Sequence, residues 1–476
     1  MRPTLLLAAL PALLAAQETT TTLKDQKALA VTIYNDNLAL VKDLRAVRLS
    51  RGEARLAFQE VSAQIRPETA LLRDLTHPRG FWVSEQNFDF DLLTPQKLLD
   101  KYVGEKVLVV RSVPNADGAG TKEVREEATV LATGSGTVLQ FADRIETSVP
   151  GRLVFPKVPE NLRARPTLVI SLNSAVDQTQ DLELSYLTGG LSWRADYVAN
   201  LAPDEKTLDL SGWVTLTNQS GAPYPNATLQ LVAGDLNRAG ERPGRAFAAG
   251  AMMDRAKAAA PQLAEENLFE YHLYTLDRPT TLAVNQTKQV ALLSASSVPV
   301  RKEYLLQGQS YYYSGSYGDP GQKQKVGVFV AFDNRESARL GMPLPRGIIR
   351  VYKRDSEGRA QFVGEDNVDH TPKNELVRLK LGEAFDVTAK RRQTDYKSLG
   401  RQGKFGSVHE SAFEIELKNA KQEPVTVGVL EPMPGDWEVL QSSQPYTKEA
   451  AGAARFKVTV PAGDSAILTY RVRVRW

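Results

Sequence analysis

The chain has 476 residues, 59 Lys and Arg against 56 Asp and Glu for a net charge of +3, and no cysteine. The missing thiol excludes disulfide scaffolds, thiolate metal and iron–sulfur centres, a Cys nucleophile and lipid attachment at a cysteine. Near-balanced charge without a block of one sign gives nucleic acid no binding stripe, and four histidines leave little for a His-rich metal site.

Met1-Arg2-Pro3 leads into a Leu- and Ala-rich run that ends at Ala15-Ala16. The run is shorter than the roughly 20 residues that span a bilayer, and it closes on small residues, so 1–16 reads as a secretory signal peptide. Leu14 is not the ideal small residue before that cut, and an N-terminal anchor is the alternative. No other long uncharged apolar run follows. The mature chain is therefore expected to be exported, whether periplasmic, envelope-associated or secreted, with no transmembrane span.

Strand signals dominate from there on, as short runs of Val, Ile, Leu, Thr and aromatic residues broken by Gly, Pro, Asn and Asp. Runs over 31–34, 38–49 and 54–58 predict a meander. Thr94 as N-cap, Pro95 at the first helical position, Leu93 with Leu98 as a staple and Gly104 as the stop predict one short helix. Short strands over 107–111, 128–131, 137–141 and 152–155 predict a small sheet or barrel of its own. The alternation in Leu182-Glu183-Leu184-Ser185-Tyr186 marks half-buried strands of a sandwich. Residues 238–266 turn to Ala, Gly, Arg and Pro, the composition of a linker. A helical pattern over 252–263 is interrupted by Pro261.

Strands resume beyond Leu268. They include a hairpin expected around Asn419-Ala420, between 413–417 and 425–427. The fold class is thus all-β, mainly β-sandwich domains with a small barrel-like N-terminal unit and one short helix. The expected division is 17–166 for the N-terminal β region, 167–238 for a central sandwich, 239–265 for the linker and 266–476 for a C-terminal sandwich. In the final strand Leu468, Tyr470, Val472, Val474 and Trp476 alternate with Thr469, Arg471, Arg473 and Arg475. An outer-membrane barrel would need such strands throughout, so this one is read as a sandwich strand with an Arg-lined solvent face.

Several motifs in order resemble one family. They are Trp193-Arg194-Ala195-Asp196-Tyr197, Gly212-Trp213-Val214-Thr215-Leu216-Thr217-Asn218, Tyr271-His272-Leu273-Tyr274, Gly341-Met342-Pro343-Leu344-Pro345-Arg346-Gly347, Asp366-Asn367-Val368-Asp369-His370 and Met433-Pro434-Gly435-Asp436-Trp437. The sequence is similar to bacterial proteins of the domain of unknown function 4139 family, over roughly 167–476. The resemblance implies an exported β-rich protein and brings no catalytic residue, because the family has no established activity.

Candidate sites come from the residues themselves. Asp366, Asp369 and His370 carry metal-ligating groups, but along a strand Asp366 and His370 face away from Asp369, and a turn whose Asp residues cap backbone N–H groups is the simpler reading. Tyr311, Tyr312, Tyr313 and Tyr317, set among Ser and Gly, form a tyrosine-rich loop that offers an adaptable binding surface or covers neighbouring backbone. No Gly-x-Ser-x-Gly elbow, phosphate loop or dinucleotide fingerprint is present, and no cofactor is expected. Trp193, Trp213 and Trp437 read as packing residues, with Arg194 pairing Asp196. The preferred function is a non-enzymatic envelope or periplasmic interaction module with an envelope protein or a polysaccharide as partner. The alternative is a glycan hydrolase with paired carboxylates in an inter-domain cleft, which no sequence spacing reports.

Overall fold

The computed structural model describes residues 18–35, 37–115, 120–159, 162–234, 236–237, 263–316 and 323–476. The expected signal segment 1–16 and most of the expected linker, with the helical pattern inside it, lie outside the described residues. Strand makes up 66% of the described residues and helix 5%, so sheets must bury their apolar faces against other sheets. The chain forms two compact units, each built from three separate stretches: Met1–Trp193, Leu216–Val232 and Thr275–Lys288, and then Arg194–Thr215, Ala233–Tyr274 and Gln289–Trp476.

In the first unit, strands Gln26–Tyr34 and Leu38–Leu49 pair antiparallel, as expected. The third strand, Gly52–Gln59, does not continue their meander. It pairs with Glu18–Thr21 and Thr167–Ser174 in a separate sheet, which Phe81–Asp89 completes. The reason is burial. Leu49 and the run Leu56, Ala57 and Phe58 are fully buried, and crossing to a facing sheet lets both apolar surfaces leave water. Arg45 spans the two layers, with its guanidinium 3.9 Å from the Phe58 ring centroid, its Nη1 donating to the Thr21 carbonyl and its Nη2 to Asp43 at 2.7 Å. Strand Gln178–Thr188 pairs with Leu38–Leu49, and Tyr224–Ala233 runs parallel to Gln26–Tyr34.

The same unit carries the predicted small sheet. Five antiparallel strands follow the order Ile145–Glu146, Val138–Gln140, Thr121–Ala132, Lys106–Pro114 and Arg152–Val154. The helix Pro95–Lys101 begins where expected, with Thr94 Oγ1 accepting from the Lys97 N–H at 3.2 Å. It buries Leu99 and the adjacent Tyr102 against Val107, Val109, Ala128, Val130 and Leu139, so helix and sheet share one core.

In the second unit, a five-stranded sheet runs Gln286–Pro299, Thr207–Asn218, Leu191–Leu201, Gly347–Arg354 and Ala360–Val368. A nine-stranded sheet runs Asp436–Ser442, Ser465–Arg475, Phe405–Asn419, Leu376–Gln402, Lys323–Asp333, Arg301–Gln307, Val425–Pro432, Ala453–Val460 and Tyr446–Ala450. Its path folds over on itself, because Phe413, Ile415, Leu468 and Val472 share a core with Val427, Val429, Phe456 and Val458. Phe405–Asn419 and Val425–Pro432 therefore form no hairpin. The first pairs with Leu376–Gln402 and Ser465–Arg475, the second with Arg301–Gln307 and Ala453–Val460. In the last strand Leu468, Tyr470, Val472 and Val474 are buried, while Arg471, Arg473 and Arg475 make ion pairs with Asp395, Glu410 and Asp436 on the other face.

One corner recurs three times. Asn218, Asn334 and Asn419, all buried, each stand at or just past the end of a strand. The amide Nδ2 of each donates to a carbonyl of its own turn: Ala222 at 2.9 Å, Met342 at 2.8 Å and Glu423 at 2.8 Å. It donates again to a turn further along the chain, at Ala283, Pro372 and Pro461, each at 2.9 Å. The strand that follows this second turn lies beside the strand that carries the Asn in every case. The same corner is thus used three times, with one buried amide tying two turns together in each case.

Candidate functional site

The tyrosine-rich stretch lies in the second unit, as a single turn of 3-10 helix, Ser310–Tyr313, between strands Arg301–Gln307 and Lys323–Asp333. Its three tyrosines do different things. Tyr313 is fully buried and donates its hydroxyl to Glu431 Oε2 at 2.7 Å, with the Tyr470 hydroxyl 3.1 Å away. Tyr312 is partly buried, lies 4.8 Å from the Arg391 guanidinium and accepts from Gln324 at 3.1 Å. Tyr311 is 54% exposed and meets Tyr312 edge to face with ring centroids 4.9 Å apart. Tyr317 lies outside the described residues.

Beneath the turn sits a closed polar network. Arg391, 1% exposed, donates to Glu431 Oε1 at 2.5 Å, to the Tyr470 hydroxyl at 3.3 Å and to Gln324 at 3.3 Å. Burial opposes the guanidinium charge, and the Glu431 carboxylate more than offsets it, so Arg391 holds its proton more tightly than a free arginine. Burial first, and then the Glu431 charge, push the Tyr313 phenol well above its usual range, which keeps it a neutral donor. The network anchors the turn from below, leaving Tyr311 to stand out from a fixed base.

The neighbouring strands extend the aromatic surface. Gln393 donates to the Gly315 carbonyl at 3.1 Å, which ties the far side of the turn to strand Leu376–Gln402. Further along that strand Tyr396 stacks on His409 with centroids 5.7 Å apart, and its hydroxyl lies 2.6 Å from His409 Nδ1. His409 Nε2 is 2.5 Å from Ser407 Oγ, and Trp476, 44% exposed, lies 5.2 Å from the imidazole. Both ring nitrogens of His409 are thus engaged, and its face is shared between two aromatic rings.

The metal-ligating residues do not converge. Asp366 Oδ2 accepts from the Lys380 N–H at 2.7 Å and Oδ1 from the Asn367 N–H at 2.9 Å, so its carboxylate caps backbone donors. His370 Nδ1 accepts from the Arg346 N–H at 3.2 Å. Asp369 contributes its carbonyl to the Thr371 hydroxyl, and no group of three ligands is assembled among the described residues.

The motifs that carry the resemblance meet around one loop. The Met342 carbonyl accepts from Asn334, the Pro343 carbonyl from Tyr274 at 3.3 Å and the Pro345 carbonyl from Tyr197 at 2.8 Å, beside the His370 contact to Arg346. Asp196, on the same strand as Tyr197, takes Thr215, Arg350 and Arg194. Burial pushes its carboxyl up, and these three partners outweigh burial and hold it below the usual range. Trp193 and Trp437 are packing residues, with Nε1 donating to Val232 and Ala451 respectively.

Sequence reasoning missed Arg391 and Glu431, although both left a signal. Arg391 continues the buried row Val387, Ala389, and Glu431 continues Val425, Val427, Val429, each at the spacing of one strand face. A charged residue in apolar phase on two strands marks a buried pair.

These features define an all-β chain of packed sheets, with a rigidly based aromatic turn and motifs devoted to clasping a proline-rich loop. The family model described as Domain of unknown function (DUF4139) matches residues 182–476, and the chain belongs to that family. A comparison with curated proteins gives no match.

Proposed function

We propose that the chain is an exported, non-enzymatic interaction module of the bacterial cell envelope that binds polysaccharide through the aromatic surface around Tyr311, Tyr396 and Trp476. The observation that supports this reading is the pair of half-exposed rings, Tyr311 on a turn anchored by the buried Tyr313–Glu431 hydrogen bond and Trp476 beside His409. Rings with an apolar face and a polar edge suit a sugar, which offers apolar C–H faces and hydroxyls together. Holding the turn in place through Tyr313 removes the ordering cost that a loose loop adds to binding.

The test is co-sedimentation of the purified protein with insoluble envelope polysaccharide, compared with the double variant Tyr311→Ala with Trp476→Ala. Retention that weakens by about 30-fold, ~2 kcal/mol, in the double variant supports the reading. Equal retention of both proteins overturns the site. No retention, with one protein recovered by cross-linking in cells, overturns the ligand class, and release of new reducing ends from the polymer overturns the non-enzymatic assignment. Export is tested by fractionating cells and sequencing the mature N-terminus, with Gln17 as the expected first residue.

A further inference from the structure

A second site lies in the same unit, away from the tyrosine turn. A cavity of about 200 Å³ is lined by Leu201, Val328, Val330, Val363 and Leu381, with Glu205, Lys302 and Lys353 at its polar end and Gly382 and Glu383 beside them. It sits where two strand pairs lose register. The pairing of Lys323–Asp333 with Leu376–Gln402 shifts on both sides of Gly327 and Val328, and that of Gly347–Arg354 with Ala360–Val368 shifts between Val351 and Tyr352. At the second irregularity Gly364 has φ +148°, and a Cβ there would lie 2.3 Å from the Leu381 carbonyl oxygen. Only glycine lets Ala360–Val368 come this close to Leu376–Gln402, beside the register shifts that open the gap.

The polar end is built with one positive charge in excess. Glu205 is held in a left-handed conformation, φ +59°, in the turn after Leu201. One carboxylate oxygen takes Lys302 Nζ at 2.7 Å and the other takes Lys353 Nζ at 2.5 Å. The remaining carboxylate of the lining, Glu383, is paired with Lys325. Two ammonium groups therefore share one carboxylate at the mouth of an apolar cavity, and each ammonium has three N–H bonds to place.

We propose that this cavity binds a small organic monoanion, its acid group bridging Lys302 and Lys353 opposite Glu205 and its apolar tail lying against Val328, Val330 and Leu381. Acid and ammonium groups then alternate around the mouth, and the excess charge is neutralised. Three valine and leucine side chains beside two ammonium groups suit a short-chain organic acid, for which pentanoate is the probe. This site is independent of the polysaccharide reading and stands or falls without it.

The experiment is methyl-detected NMR titration of the full chain, labelled at Val and Leu, with pentanoate, and with pentanol and inorganic phosphate as the tail alone and the anion alone. Saturable shifts at Val328, Val330 and Leu381 with pentanoate, at least about tenfold weaker with pentanol and absent with phosphate, are expected. Lys353→Met should weaken pentanoate at least about tenfold, Lys353→Arg should retain it, and Val330→Phe should abolish it while the melting temperature stays within a few degrees. Equal binding of pentanol, unchanged affinity in Lys353→Met, or no saturable shift with pentanoate up to about 50 mM would each overturn the proposal.

Discussion

Glu431→Gln is the sharpest perturbation of the second unit. The amide keeps the shape of the carboxylate and can still meet the Tyr313 hydroxyl, so the change removes charge and little else. Arg391 and Glu431 side chains are 2% and 0% exposed, so the surviving guanidinium has no water to turn to. Breaking a buried pair from one side costs about 3–5 kcal/mol. Replacing both partners, as Arg391→Met with Glu431→Leu, leaves no buried charge, and such replacements are often neutral or stabilising. Urea unfolding followed by tryptophan fluorescence should show Glu431→Gln destabilised by about 4 kcal/mol and the double variant far less affected. A loss under about 1 kcal/mol for Glu431→Gln, or a double variant weaker than the single, would refute the view that uncompensated charge, rather than packing, sets the cost.

Two further outcomes test the fold. Burial above all drives the Tyr224 phenol up to about 12, against 10 in an unfolded chain, so the folded state holds the proton longer. The contribution is therefore complete below pH 10 and drains away between pH 10 and 12, by about 3 kcal/mol at ~1.4 kcal/mol per unit; melting curves from pH 8 to 12, read beside tyrosinate absorbance, should fall only in that window. Asn419→Ala removes the donor shared by the Glu423 and Pro461 carbonyls and should cost about 1–3 kcal/mol, ~1 for each bond lost, whereas a surface asparagine changed to alanine should cost little, which denaturant midpoints compare directly.

Local chemistry was legible and partnership was not. Thr94 and Pro95 announce the helix because a cap acts within one turn, and the alternation in the last strand reports which face is buried because that follows from the pleat alone. Alternation says nothing about which sheet a strand joins. Gly52–Gln59 shows the same pattern whether it continues a meander or crosses to the facing sheet, and the parallel pairing of Arg301–Gln307 with Val425–Pro432 joins residues more than a hundred positions apart. For the site, Ser and Gly around the tyrosines signalled a turn, but the burial of Tyr313 depends on Glu431 and Arg391, which reach it from distant strands.

The interleaving of the two units sets the order in which the chain can mature. The first unit includes Leu216–Val232 and Thr275–Lys288, so a ribosome that has made only the first 193 residues has not supplied all of it. Strand Gln26–Tyr34 waits for its parallel neighbour Tyr224–Ala233, almost two hundred residues later, and until then presents a bare edge. The second unit's largest sheet takes Ser465–Arg475 between two strands made earlier, so it closes last by insertion. Such a chain spends much of its synthesis with open β-edges, and its yield in the cell should respond more to holding chaperones and elongation rate than to small changes in final stability.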